Sequence, residues 1–345
     1  MVDMTRGADK AGMARAGEIL KGGGLVAFPT ETVYGLGANA LDEEASAKIY
    51  AAKGRPSDNP LIVHIAEFSA LNRIVKEIPN EARKLAEAFW PGPLTMIFNK
   101  TDLVPYGTTG GLDTVAVRMP NHPLALEMIR AGGGYIAAPS ANTSGRPSPT
   151  RAEHVADDLK GRIDMIIDGG PVGIGLESTI VDLTDREPVI LRPGYINQEM
   201  LRNVLNRPVE LDQALIKDDP NLRPKAPGMK YRHYAPKASL TIVEGKTDAV
   251  VAKINELAAQ EKQAGGCAGI IATDETATSY PLGIVKSAGT RSEDITIAMH
   301  LYSILREFDE LGVTRIYSEA FETPQMGQAI MNRLIKAAGH QVIYV

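Results

Sequence analysis

The chain has 345 residues, 44% hydrophobic and 23% charged, enough to bury a sizeable core and long enough for two domains. A net charge of −5 argues against a protein that coats nucleic acid, and the single cysteine, Cys267, excludes a disulfide framework or a zinc site built from several thiolates. The first 21 residues hold no signal-type apolar run, and no stretch approaches the roughly 20 apolar residues of a membrane span, so a soluble, cytoplasmic protein with a buried Cys267 thiol is expected.

The first predicted helix carries Met13, Ala16 and Leu20 on one face and stops at Gly22-Gly23-Gly24. A strand at 25–28 runs into PTETVYGLG (29–37). There the hydroxyls of Thr30 and Thr32 and the glycines Gly35 and Gly37 either leave room for a ligand or form an ordinary strand-to-helix turn. Asp42 caps the next helix, with Ala45, Ile49 and Ala52 inward and Gly54 as its stop. Lys53 and Arg55 then stand at an exposed helix end, complementing the helix dipole or holding an oxyanion such as a triphosphate or carbonate. Asn59 follows, and His64 lies inside a strand at 61–65, as a core residue or a ligand.

Asn80 starts a helix with Ala82, Leu85 and Phe89 inward, followed by Pro91 and a strand at 94–98. At 114–118 alternation puts Thr114, Ala116 and Arg118 on one strand face and Val115 and Val117 on the other. An arginine there needs an anionic partner, a carboxylate of the protein or of a ligand. A strand at 135–138 leads into APSANTSGRPSPT (138–150), whose Ser140, Asn142, Ser144 and Ser148 suit a ligand loop or a plain turn. Thr150 and Glu153 have capping-box spacing ahead of Val155 and Leu159. Strands at 165–167, 178–183 and 189–191 complete an α/β domain over 1–207, with Ser178 at a strand start and Arg192 at a strand end. Several of these strands are too close in sequence for crossover helices, so antiparallel pairs are expected.

Pro208, Pro220, Pro224, Pro227 and Pro236 mark 208–237 as an extended linker. Its run Lys230, Tyr231, Arg232, His233 and Tyr234 suits a packed connection or a strap over a pocket. From 238 to 345, strand candidates at 240–243, 269–272, 283–286, 315–318 and 342–345 alternate with helical patterns at 249–260, 293–311 and 328–338, as in a small, open, mainly parallel sheet. Familiar catalytic signatures are missing. Gly245-Lys246-Thr247 ends like a phosphate loop, but Leu240 stands where its leading glycine belongs. The histidines lack paired metal-ligand spacing, and no G-x-S-x-G elbow occurs.

Taken in order, PTETVYGLG, KGRP (53–56), the strand ending Val117-Arg118-Met119-Pro120, PSAN with Ser144-Gly145, LEST (176–179) and LRPG (191–194) resemble the threonylcarbamoyl-AMP synthase family over about residues 10–207. APGMKYRHYAPK (226–237) and the residues after it resemble the longer branch of that family. The resemblance implies an α/β fold: an N-terminal YrdC-like twisted mixed sheet with flanking helices, plus a small C-terminal Rossmann-like open α/β sheet. It implies L-threonine, bicarbonate and ATP as substrates, Mg2+ travelling with ATP, and no metal held by protein side chains. The product would pass to a tRNA threonylcarbamoyl transferase for threonylcarbamoyladenosine formation, and a weak contact with tRNA stays open.

Carried onto the matching positions, Lys53, Arg55, Ser140 and Asn142 form a polar tetrad. Thr32, His64, Arg118, Ala138 (through its backbone) and Ser178 bind threonine, while Arg55, Asn59, Thr114, Ser140, Ser148, Arg192 and Tyr231 bind the nucleotide. Every reacting species is an anion, which explains clustered cations without a nucleophile motif. Two rivals are another carbamoylating enzyme, whose cysteine-rich zinc modules one cysteine excludes, and a double-stranded RNA binder, against which the acidic balance weighs.

Overall fold

The computed structural model describes residues 1–215, 233–323 and 325–345, which fall into two compact units. The first comprises Met1–Ser144, Ser148–Gly173 and 177–215; the second comprises Gly145–Pro147, Ile174–Leu176 and the described residues from 233 onward.

The first unit is built on one mixed sheet. Its strands are β1 (Val2–Asp3), β2 (Val26–Phe28), β3 (Gly35–Asn39), β4 (Ile62–His64), β5 (Leu94–Asn99), β6 (Thr114–Arg118), β7 (Ile136–Ala138), β8 (Met165–Asp168), β9 (Thr179–Asp182), β10 (Val189–Arg192) and β11 (Glu210–Leu211). In space they run β1-β8-β2-β3-β7-β4-β6-β5-β9-β10-β11. Antiparallel pairs such as β2 with β3 and β9 with β10, as their short connections require, adjoin parallel ones such as β4 with β6 and β5 with β9.

Strand alternation divides the side chains between two faces. Ala27, Val63, Val117, Ala137, Ile166 and Val181 enter a large core with the helices Glu43–Lys53, Asn80–Phe89, Ala152–Leu159 and Gln198–Leu205. On the other face Val26, Phe28, Ile136, Ala138 and Ile167 pack with Met13, Ala16 and Leu20 of the Lys10–Lys21 helix and with Leu124, Ala125 and Met128 of the Pro123–Ala131 helix. Each large apolar side chain buried this way contributes about 1.5–3 kcal/mol. Farther along that second face, a separate cluster of Ile62, Ile97, Ala116, Ile180 and Leu191 includes no helical residue. His64, Thr114, Arg118 and Arg192 stand on this face beside the cluster.

Local chemistry accounts for several helix ends. The Asp42 carboxylate accepts from the Glu44 and Ala45 amides, and Gly54 ends the same helix with φ of 61°. The capping box expected at Thr150 and Glu153 is absent: the helix begins after Arg151 without a side-chain cap, because Thr150 falls one residue too early and lies against His154 instead. PTETVYGLG is no mere turn, since β3 begins at Gly35. Its glycines hide the strand from a hydrophobicity pattern yet are required by close packing: a Cβ on Gly37 would stand 2.9 Å from Ile136 Cγ2. The ladder also extends into the segment expected to be a linker, where Glu210 and Leu211 pair with Val189 and Ile190.

In the second unit β12 (Ser239–Glu244), β13 (Ala268–Ala272), β14 (Ile284–Ser287), β15 (Arg315–Glu319) and β16 (Val342–Tyr344) form a parallel sheet in the order β14-β13-β15-β12-β16. The helices Thr247–Gln263, Asp294–Leu311 and Gly327–Ala338 connect it. The winding reverses between β12 and β15, and the crevice there, which Gly245, Lys246, Arg291 and Glu319 help to line, encloses about 480 Å³. Cys267 is half-buried rather than fully buried, because it precedes β13 at the sheet's rim. Among the described residues no helix is long and apolar enough to cross a membrane.

Candidate functional site

Register lines up one row of side chains across the sheet. His64 on β4 pairs with Arg118 on β6, Arg118 with Thr95 on β5, Thr95 with Ile180 on β9, and Ile180 with Arg192 on β10. In-register partners point to the same face, so this row borders the small apolar cluster, with Ala138, Ile62, Ala116 and Ile97 in the row behind it. Thr114, four residues from Arg118 and opposite Asn99, shares that face. The alternation expected at 114–118 is therefore realised: Val115 and Val117 enter the helix-covered core.

Arg118 is 4% exposed and held at three points. Nη1 donates to Thr32 Oγ1 at 2.9 Å, Nε donates to Gly92 O at 3.3 Å, and Nη2 lies 2.7 Å from Glu31 Oε1. The last contact is an ion pair without hydrogen-bond alignment. The anionic partner that Arg118 requires is thus a protein carboxylate in this structure. His64 Nδ1 sits 3.1 Å from Ile62 O. Burial, and then the Arg118 charge, push the His64 pKa down to about 3, so its imidazole is neutral at physiological pH. Ser178 Oγ lies 2.8 Å from Thr95 Oγ1 and accepts from Arg192 Nη2 at 3.1 Å, while Arg192 Nε donates to Ser178 O at 3.0 Å.

A second group converges on the loop after β7. Lys53 Nζ donates to Ser140 O at 2.5 Å and to Asn142 O, and lies 3.4 Å from Asn142 Oδ1. Ser140 Oγ donates to Asn142 Oδ1 at 2.5 Å. Main-chain bonds stitch this loop to the PTETVYGLG stretch, Leu36 N to Pro139 O, Ala141 N to Tyr34 O and Tyr34 N to Pro149 O. Ser148 Oγ donates to Glu177 Oε1 at 2.5 Å, tying the loop to LEST. Three of the tetrad residues, Lys53, Ser140 and Asn142, are thus in direct contact. Arg55 turns toward Asn59 O and Pro60 O, with Nη2 at 3.3 and 3.2 Å.

The expectation of an exposed helix end at Lys53 and Arg55 is wrong. Lys53 is 1% exposed and Arg55 9%, because the loop folds over the helix end and Ser144 N donates to Lys53 O at 2.9 Å. Buried cations persist only where acceptors offset their desolvation, and the loop carbonyls supply them. Tyr231 lies outside the described residues. Glu31, Thr95, His122 and Glu177 belong to this neighbourhood but were not among the predicted site residues. Glu31 and Glu177 lie inside PTETVYGLG and LEST, next to the hydroxyl residues that carry the binding signal in those stretches. Among the described residues no three His, Cys, Asp or Glu side chains form a metal-holding group.

Residues 18–194 match the family model described as Telomere recombination, and residues 196–339 match the one described as Threonylcarbamoyl-AMP synthase, C-terminal domain. The chain is 52% identical over 332 residues to the threonylcarbamoyl-AMP synthase of Bacillus subtilis, covering 96% of this chain and 94% of the relative. It is 51% identical over 330 residues to that of Pyrococcus abyssi, covering 96% and 95%. The crystal structure of P. abyssi Sua5 complexed with L-threonine matches with a TM-score of 0.94 at 48% identity, covering 100% of this chain and 99% of that one.

Proposed function

The chain belongs to the threonylcarbamoyl-AMP synthase family, and we propose that the sheet face carrying His64, Arg118 and Arg192 is where it condenses L-threonine, bicarbonate and ATP into threonylcarbamoyl-AMP, releasing pyrophosphate. It is an ATP-using nucleotidyltransferase of tRNA threonylcarbamoyladenosine modification. Residues 1–207 act as the catalytic domain, 208–237 as the segment that supplies Tyr231 to the nucleotide, and 238–345 as a small second domain.

In this reading Arg118 and Thr32 take the threonine carboxylate, while neutral His64, Ser178 and the Ala138 backbone receive its remaining polar groups. The amine forms a bond to the bicarbonate carbon with loss of water. An oxygen of the resulting N-carboxylate attacks the α-phosphorus of ATP, the α–β bridging bond breaks, and pyrophosphate departs with its electrons. Lys53, Arg55 and Arg192 gather these anions and neutralise the charge that grows on the phosphate, the dominant requirement of phosphoryl-centre chemistry. Asn59, Thr114, Ser140 and Ser148 orient the nucleotide, Asn142 completes the catalytic tetrad with Lys53, Arg55 and Ser140, and Mg2+ arrives as part of the ATP substrate. The product goes to a tRNA threonylcarbamoyl transferase in the cytoplasm. A double-stranded RNA binder or a different carbamoylating enzyme finds no support in these relatives.

The observation that carries this reading is the shared row. Arg118 on the threonine side and Arg192 on the nucleotide side stand on one face, bridged by Thr95 and Ser178. Such an arrangement lets the N-carboxylate formed on one substrate's amine reach the other's α-phosphate. The test is pyrophosphate release with each substrate omitted in turn: it should require threonine and bicarbonate together, and equal release without threonine would refute the reaction.

A further inference from the structure

Buried polar atoms without a hydrogen-bond partner are uncommon in folded proteins and call for a reason where they occur. Among the described residues of the first unit, such atoms are both Glu31 carboxylate oxygens, Arg118 Nη2, His122 Nδ1 and Asn59 Oδ1. Four of these five belong to one group, since Glu31 pairs with Arg118 and its charge also acts on His122. The Glu31–Arg118 pair is a poor device for stability alone. Its side chains are 14% and 5% exposed, so both charges are largely desolvated, yet Glu31 collects no aligned donor in return. The neighbouring hydroxyls are engaged elsewhere: Thr30 donates to Val33 O at 2.6 Å, and Thr32 Oγ1 receives Arg118.

We propose that Glu31 is the ammonium-binding residue of this site, so that Glu31 and Arg118 together form a receptor for the two charges of a free α-amino acid. The assignment rests on reading the site as the threonine site. Without ligand, each charge of the pair serves as the other's counter-ion. When the carboxylate of the amino acid takes Arg118, Glu31 is released from it, and the α-ammonium beside that carboxylate supplies the donors that both Glu31 oxygens lack. The arrangement selects for a free amino terminus and a free carboxylate on the same carbon, and it rejects ligands carrying only one of the two charges. His64 cannot take over as anion or base, because burial and the Arg118 charge keep its imidazole neutral and weakly basic. Glu31 is a binding and positioning residue here; the ammonium gives up a proton to solvent before its nitrogen attacks, and the bond-forming steps then follow as described.

The test is titration calorimetry on the full-length chain with ATP present, using L-threonine, its deaminated analogue 2,3-dihydroxybutyrate (carboxylate only) and L-threoninol (ammonium only). Glu31→Gln should weaken threonine and threoninol on the order of 10- to 100-fold, the value of a hydrogen bond to a charged group. The same variant should bind 2,3-dihydroxybutyrate as well as or better than the unaltered protein, because Arg118 no longer has a competing carboxylate. A merely structural role would weaken all three ligands alike, and that result overturns the assignment, as does unchanged threonine binding. Glu31→Asp, which keeps the charge and most of the packing, should lose less threonine affinity than Glu31→Gln and leave dihydroxybutyrate unchanged. A loss equal to that of Glu31→Gln would count against the charge as the cause. If the unaltered protein binds no threonine, the threonine reading itself fails and this assignment falls with it.

Discussion

Replacing Lys53 with Met separates a catalytic cation from a helix-end cation. Methionine matches the lysine stem in reach and bulk but donates nothing, so the packing around this fully buried side chain is largely kept. What is lost is the ammonium that donates to Ser140 O at 2.5 Å and to Asn142 O. Each carbonyl left short of a donor costs about 1–3 kcal/mol, and the cost is partly offset because an ammonium no longer has to be desolvated. A net loss of about 2–3 kcal/mol should lower the melting temperature by roughly 4–12 °C for a unit of this size. Turnover should fall further than stability accounts for. Removing a positioned charge from an anionic transition state costs about 3 kcal/mol, or on the order of 100-fold in kcat. The threonine KM should barely move, since Lys53 contacts the loop after β7 and not the Glu31–Arg118–Thr32 group. Circular-dichroism melting and pyrophosphate release at saturating substrates read the two effects separately. A variant that melts with the unaltered protein and keeps its turnover would refute the reasoning and return Lys53 to a dipole-capping role.

Arg118→Ala should abolish measurable threonine binding while sparing ATP, and it should destabilise the fold by about 3 kcal/mol because Glu31 is left buried and unpaired. Adding Glu31→Gln should restore most of that stability without restoring threonine binding, and equal losses for both ligands in calorimetry would make Arg118 structural. His64 titrates at about 3 when folded against an ordinary 6.5, so in the window between these values the unfolded chain binds the extra proton. Its contribution is therefore fully present above pH 6.5 and is lost progressively as pH falls toward 3. His64→Gln should flatten the fall in melting temperature between pH 6.5 and 5, and an unchanged slope would contradict a buried neutral imidazole. Ending the chain after Arg207 removes β11, whereas ending it after Leu215 keeps that edge strand, so the longer product should melt a few degrees higher. Coincident melts would show that the β10–β11 pairing adds nothing.

Much of this protein is legible in its sequence because the signals are local. Asp42 and Gly54 delimit their helix by capping chemistry that needs only neighbouring residues, and strand periodicity alone assigns Thr114, Ala116 and Arg118 to one face. The order of PTETVYGLG, KGRP, PSAN, LEST and LRPG was enough to suggest the family, since each stretch keeps its residue types whatever surrounds it. The tertiary structure decided what depends on contacts between distant segments. The sequence carries no sign that the loop at 139–144 folds over Lys53, so a cation expected in solvent is in fact buried against carbonyls. Gly35 and Gly37 suggested a ligand-binding stretch or a turn, not a strand, because a glycine in a strand makes sense only once its neighbour across the ladder is known. The partner of Arg118 was undetermined for the same reason: Glu31 lies 87 positions earlier in the chain, and only the ladder running β2-β3-β7-β4-β6, with Thr32 held against Arg118, brings the two charges together. Local propensity is encoded residue by residue, but the environment of a buried charge comes from chain segments that meet only in the folded sheet, and that environment is where this site takes its chemistry.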